Sequence, residues 1–331
     1  MKNKLLILIF LSIITADSTG GGLSFLNIAP TSKMNSLGNT MFSGLGDPSS
    51  ILFNPANSWS ISRYKFSVNN VWYNESLDAQ VNHLFMSFKL KKSSQSLYSL
   101  GFIQYGVDNI EEYNNEADFQ DYFSFSDLAF LLGYSYRTSN IYWGISSALI
   151  SENFSNIDYD RTYFYQYDIG VSLVDFPITN TISFSSGISI KNVFNDKFES
   201  QNSMNNNNII GTMMSYNSLN SNFTAKGYFD ILFQKILDVY SGRFGFELGY
   251  NIKDIQTSLC LGYNDFRLTS LDTFSLLETN EYNSQLKWGI GIGLPFKNSM
   301  VQIFMGQAVP GKSIAMDSKF ITITLTGNPK F

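Results

Sequence analysis

His83 is the only histidine in this 331-residue chain, so any imidazole chemistry would have to run through it. Ser87 follows four residues later, and with a nearby acid the three would form a hydrolase set on one face of a strand. The sequence lacks the G-x-S-x-G elbow that exposes such a serine, and serines are so frequent that one near His83 carries no meaning. A histidine-based metal site would need carboxylates for all its other ligands. The acidic pairs Glu111-Glu112 and Asp158-Asp160 fall in segments that read as loops, without an EF-hand pattern. Cys260 is the only cysteine, so no intramolecular disulfide is expected. His83 therefore reads as a structural residue; no catalytic residue, metal or cofactor is expected, and the chain does not read as an enzyme.

More informative charges recur on the polar faces of alternating segments: Arg137, Asp168, Lys191, Lys226, Asp230, Arg243 and Glu247. On an inward face they would set a field that selects solutes, latch a plug, or fill the interior as ion pairs. The presence of both signs favours mutual pairing over a selective field.

The elements that position them have a two-residue period. Tyr163, Tyr165, Tyr167, Ile169, Val171 and Leu173 oppose Gln166, Asp168, Gly170 and Ser172; Phe244, Phe246, Leu248 and Tyr250 oppose Arg243, Gly245, Glu247 and Gly249. One face is apolar and the other small or polar, as in a strand with lipid on one side and a lumen on the other. The pattern predicts fourteen strands, near 64–73, 78–90, 96–106, 126–137, 140–151, 162–174, 181–194, 208–217, 222–234, 242–251, 254–264, 285–294, 299–307 and 318–326. The segment at 208–217 alternates least well. Links after odd-numbered strands are mostly long and those after even-numbered ones short, the sorting of outer loops and periplasmic turns. The long links at 107–125 and 265–284 read as acidic outer loops. The expected fold is all-β: a transmembrane antiparallel barrel over residues 63–331, closed by an aromatic Phe331 that serves as the barrel-insertion signal.

Ahead of the barrel, Lys2 and Lys4 followed by the apolar run Leu5 to Ile14 read as a signal peptide over 1–16. That run is too short to span a bilayer as a helix, which needs roughly 20 residues. Residues 17–62 read as a short helical hatch. Thr31 or Ser32 caps a first helix ended by Gly38, and Asp47-Pro48 starts a second that carries Ile51, Leu52 and Phe53 until Pro55 stops it. A charged fraction of 15% against 16% aromatic residues suits a barrel, and a net charge of −5 argues against nucleic acid as a partner. Outer-membrane lipid is the expected surrounding, after export.

Several motifs resemble the PorV/PorQ family of FadL-like outer-membrane barrels. The N-terminal pattern appears as Phe25-Leu26-Asn27, then Ser32 to Gly38, then Asp47 to Ala56 ending in Asn54-Pro55-Ala56. Tyr167-Asp168-Ile169-Gly170, Ile190-Lys191-Asn192-Val193 and Gly245-Phe246-Glu247-Leu248 are similar to barrel motifs of that family. Lys33, Asn39 and Asn57 depart from the usual residues, and Pro329 interrupts the final strand. The resemblance implies a fourteen-stranded barrel with a hatch, and two roles. One is a secretion-associated, type IX-like component whose outer loops bind exported cargo or secretion-system partners. The other is a transporter of hydrophobic small molecules gated at Asp47, Phe53, Asn54 and Pro55.

Overall fold

The computed structural model describes residues 29–73, 79–91, 94–113, 119–154, 162–193, 207–218, 222–234, 239–268, 285–296, 299–309 and 318–327. The signal peptide read at 1–16, Pro329 and the terminal Phe331 lie outside the described residues.

Alternating segments become ladders as the pattern requires. The strands are β1 (Tyr64–Tyr73), β2 (Ala79–Phe88), β3 (Ser96–Tyr113), β4 (Phe119–Thr138), β5 (Ile141–Phe154), β6 (Thr162–Pro177) and β7 (Ile182–Ile190), then β8 (Asn207–Asn217), β9 (Phe223–Gln234), β10 (Val239–Ile252), β11 (Ile255–Leu268), β12 (Gln285–Phe296), β13 (Ser299–Val309) and β14 (Ser318–Gly327). Each pairs antiparallel with its sequence neighbours, and β14 returns to β1 with Tyr64 opposite Gly327 and Tyr73 opposite Ser318. Closure satisfies the backbone of every strand and leaves no sheet edge.

The outer surface shows why the ladder closes. From Phe66 on β1 through Phe130 on β4, Ile188 on β7 and Phe246 on β10 to Ile323 on β14, large apolar side chains stand exposed around the whole circumference. Such a belt far exceeds the patches a water-soluble surface carries, and it matches what hydrocarbon solvates. β8 forms where alternation is weakest. Its backbone pairs on both sides, and the adjacent Met213 and Met214 still divide between the buried interior and the exposed belt. The long links are shorter than expected. The acidic stretch placed in a loop at 107–125 is mostly hairpin, with Ile110 opposite Phe123, because β-branched and aromatic residues extend the ladder on both strands. β11 likewise runs to Leu268, and residues 269–284 lie outside the described residues.

The lumen holds the hatch. In place of two helices there are, among the described residues, four short turns of helix: α1 (Ser32–Ser36), followed by 3-10 turns at Met41–Gly44, Pro48–Leu52 and Pro55–Ser58. Thr31 caps α1 by accepting from Met34 N, and Asp47 caps the third turn by accepting from Ser49 N at 3.0 Å. Pro55, expected as a stop, also begins the next turn. Asn54 caps it just as Asp47 caps the turn at Pro48, with an Asx side chain placed before a proline. Met34, Leu37, Phe42, Ile51 and Phe53 bury their side chains completely, so the core of this protein lies inside the barrel and is built from the hatch.

Candidate functional site

The hatch approaches the wall closely because the wall is cut back to glycine where they meet. A Cβ on Gly245 would come within 2.6 Å of Leu37 O, and one on Gly144 within 2.5 Å of the Pro55 carbonyl carbon. Gly170 faces the Asn54 side chain, and Gly133 faces Ile51. Gly38, with φ +70°, turns the chain after α1 directly beneath the carbonyls of Phe244 and Tyr263. Next to that seat, β10 and β11 change register between Gly242 and Phe244, a bulge that sets Arg243 against two residues of β11, Asn264 and Asp265.

Polar contacts tie the hatch to strands around the circumference. Ser32 N donates to Thr322 Oγ1 at 2.6 Å, and its hydroxyl meets Asn69 Oδ1 at 3.2 Å. Ser36 Oγ donates to Trp288 O, and Ser146 Oγ to Ile51 O, each at 3.2 Å. Met41 N donates to the Asp230 carboxylate. Asn54 Nδ2 donates to Ser172 Oγ at 3.0 Å, and Ser172 passes the bond on to Asn57 Oδ1 at 2.8 Å. Asn54 thus both caps its own turn and fixes that turn to β6. Asn54→Ala is expected to cost about 1–2 kcal/mol, through loss of the cap and of one partner for buried Ser172. The check is the thermal midpoint of the detergent-solubilised chain, with limited proteolysis reporting release of the 48–58 region ahead of the barrel.

Of the charges predicted on inward faces, Arg137, Lys191, Asp230, Arg243 and Glu247 contact the hatch. Glu247 forms an ion pair with Lys33 at 2.7 Å and accepts from Tyr228 OH at 2.5 Å. Arg243 Nη1 donates to Asn39 O at 3.1 Å. The Lys191 ammonium lies 5.3 Å from the centre of the Phe53 ring. Both Asp168 carboxylate oxygens lie within hydrogen-bond distance of the donor Gln166 Nε2, at 2.9 and 2.8 Å, and Oδ1 also accepts from the backbone N–H of Asn192 at 2.9 Å. Arg137 sits at the short-turn end, over the rings of Trp59 and Tyr142. Lys89 approaches Trp59 to 4.0 Å, and burial followed by the nearby Arg137 guanidinium lowers its pKa. Asp47 pairs with Lys65 of β1 at 3.2 Å. For Lys33 burial alone would lower the pKa, but the Glu247 carboxylate outweighs it and the ammonium is raised above its ordinary value. Lys33, Lys65 and Trp59 were not singled out as site residues from the sequence, since only the folded hatch brings them to their partners.

His83 is buried in the wall. Its Nδ1 lies 3.2 Å from Asn69 Nδ2, its ring stacks near Phe85, and its Nε2 meets no hydrogen-bonding partner among the described residues. It stands in an apolar strip of the inner face. Val71 lies opposite Val81, His83 opposite Ile103, Ile103 opposite Ala129, and Ala129 opposite Ile150, all with almost no exposure. The opposite side of the lumen carries charges. There a cavity of 350 Å³ is lined by Lys33, Asp47, Lys65, Lys226 and Glu247, by hydroxyl and amide side chains, and by the apolar Leu45, Ile292, Ile303 and Phe304.

No family model matches the sequence, and no curated protein matches it. The fold is similar to that of FadL-family outer-membrane barrels. Against the Pseudomonas putida toluene transporter TodX the TM-score is 0.60 at 10% identity, covering 90% of this chain and 98% of that one. Against the Ralstonia pickettii toluene transporter TbuX it is 0.56 at 10% identity, covering 92% and 99%. Against a Pseudomonas aeruginosa FadL homologue it is 0.51 at 9% identity, covering 90% and 98%. At these identities the likeness is one of fold.

Proposed function

We propose that this chain is a non-enzymatic outer-membrane barrel that passes hydrophobic small molecules through its lumen, with the Asp47 to Pro55 part of the hatch as the gate. The short turns, at the end where the hatch leads into β1, face the periplasm. The observation that carries this reading is the apolar strip on β1 to β5. Lumen positions of a water-filled barrel are polar, whereas Val71, Val81, Ile103 and Ile150 are apolar and fully buried on the inner face. A solute without polar groups loses nothing by lying against such a wall. The fold shared with two toluene transporters supports the same reading.

The secretion-associated role of PorV/PorQ-like barrels gains no comparable support. Part of the acidic sequence assigned to cargo binding belongs to the β3–β4 hairpin. The test is deletion of the gene, followed by uptake of labelled toluene and of a labelled long-chain fatty acid, with mass spectrometry of surface, medium and periplasmic proteins. Uptake of at least one solute is expected to fall while the exported proteins are unchanged. Intact uptake of both solutes, with a defined set of exported proteins stalled in the periplasm, would replace this reading with the secretion-associated one.

A further inference from the structure

The charge-lined cavity beneath α1 does not end at the hatch. A second cavity, of 400 Å³, lies at the short-turn mouth between Trp59, Tyr142, Met300 and Thr326. The two share Leu45, Lys65, Gln256 and Gln302 on their walls. They adjoin at these residues, the inner one walled mainly by β9 to β14 and the outer one reaching across the mouth to Tyr142 of β5 and Asp175 of β6. Their walls carry ammonium and carboxylate groups, hydroxyls and amides that can hydrate ions, set among apolar side chains such as Leu45, Ile303 and Met300.

Against the inner cavity stand α1 and the ring of Phe304. The Lys33 side chain keeps 35% of its surface exposed, while its partner Glu247 keeps 8%. This ion pair binds α1 to the β10 wall. On the other flank Ser32 binds Thr322 and Asn69, and Ser36 binds the Trp288 carbonyl. Besides the buried Met34 and Leu37, this helix of only five residues is held by polar contacts, which can be exchanged for water when water reaches them.

We propose that the barrel carries a second route, distinct from the apolar strip: a charge-lined passage that conducts small inorganic ions when α1 leaves its seat, with the Lys33–Glu247 pair as the latch. The inner cavity is walled mainly by β9 to β14 and the apolar strip lies on β1 to β5, the two approaching each other only at Asp47 and Lys65, so this proposal goes beyond the function proposed above and does not depend on it.

The test is single-channel recording in planar bilayers, with the purified full-length chain and potassium chloride as the probe. The wild-type chain is expected to show brief, infrequent openings. Glu247→Gln leaves Lys33 without its charged partner and is expected to raise the open fraction by roughly tenfold or more, given how much removing one partner of a buried pair weakens the contact. A second chain tests the passage from the closed side. Ser32→Cys with Thr322→Cys, in a Cys260→Ser background, replaces hydroxyls that lie 2.7 Å apart, close enough for a disulfide. Oxidation is expected to abolish the openings and a reductant to restore them. The proposal is overturned if Glu247→Gln conducts no more than wild type, or if the oxidised and reduced double-cysteine chain conduct alike. Heat-modifiable migration on gels identifies assembled barrel for each chain. Should Glu247→Gln fail to assemble, the double-cysteine chain decides by itself.

Discussion

Gly38→Ala is expected to leave the barrel assembled and the hatch unseated. Two separate penalties meet at this residue. The backbone is left-handed, with φ +70°, which costs an alanine about 1–2 kcal/mol. The added Cβ would also lie 2.6 Å from the carbonyl oxygens of both Phe244 and Tyr263. Those atoms belong to the β10–β11 ladder and cannot withdraw without breaking hydrogen bonds, so α1 must move instead, at a further cost of about 1–3 kcal/mol. Gly46 separates the two effects. Its φ of +76° imposes the same conformational penalty, but the nearest atom to an added Cβ is 3.8 Å away. Gly46→Ala is therefore expected to cost about 1–2 kcal/mol and keep its hatch in place. The measurement is limited proteolysis of both chains in detergent, following cleavage within residues 29–62 against the heat-modifiable barrel. Equal protection of the hatch in the two chains would show that the glycine seat does not hold it.

The strand pattern was legible because it is local. Apolar and polar residues two apart report the two faces of a strand whatever its neighbour is, and the expected starts of β1, β3, β6, β12, β13 and β14 coincide with those in the structure. The caps at Thr31 and Asp47 were legible for the same reason, since an N-cap acts within three residues of itself. Asn54-Pro55 carries the same signal as Asp47-Pro48, but reading proline as a stop concealed the start it also marks. The 107–125 segment misled because its acidic residues suggested solvent, while the aromatic and β-branched residues between them sustained pairing.

The site depends on contacts that sequence distance hides. Lys33 and Glu247 are 214 positions apart in number, and nothing near either residue names the other. Opposite signs on inward faces gave reason to expect pairs among the wall charges. The register does set Glu247 opposite Lys226 and Arg243 opposite Asp230, and the hatch joins these charges, so Glu247 also meets Lys33, Arg243 the Asn39 carbonyl and Lys191 the Phe53 ring. Glycines on the small or polar faces leave room in the lumen. The hatch backbone occupies part of that room, so Gly144 and Gly245 serve as docking surfaces.

The alternation that specifies the fold also supplies the sharpest test of the function. Phe102 and Ile103 are neighbours on β3, yet Phe102 is 41% exposed on the outer belt and Ile103 is 0% exposed on the apolar inner strip. The same substitution at each should fail in different ways. Phe102→Lys places an ammonium against lipid at a cost of about 2–4 kcal/mol near the bilayer midplane. Its expected result is a fall in assembled barrel, with each remaining molecule transporting normally. Ile103→Lys places the ammonium inside, where it draws water onto the wall that a hydrophobic solute must pass. A solute now has to displace that hydration, so uptake per assembled barrel is expected to fall by roughly tenfold or more, the consequence of a barrier raised by about 1.4 kcal/mol. Membrane fractionation measures the assembled amount, and labelled toluene and fatty-acid uptake measure the transport. If Ile103→Lys assembles and takes up both solutes at the wild-type rate, the strip on β1 to β5 is not the route. If instead uptake collapses at 103 and persists per barrel at 102, a shift of one residue along a single strand separates the residues that hold the protein in lipid from those that carry its cargo.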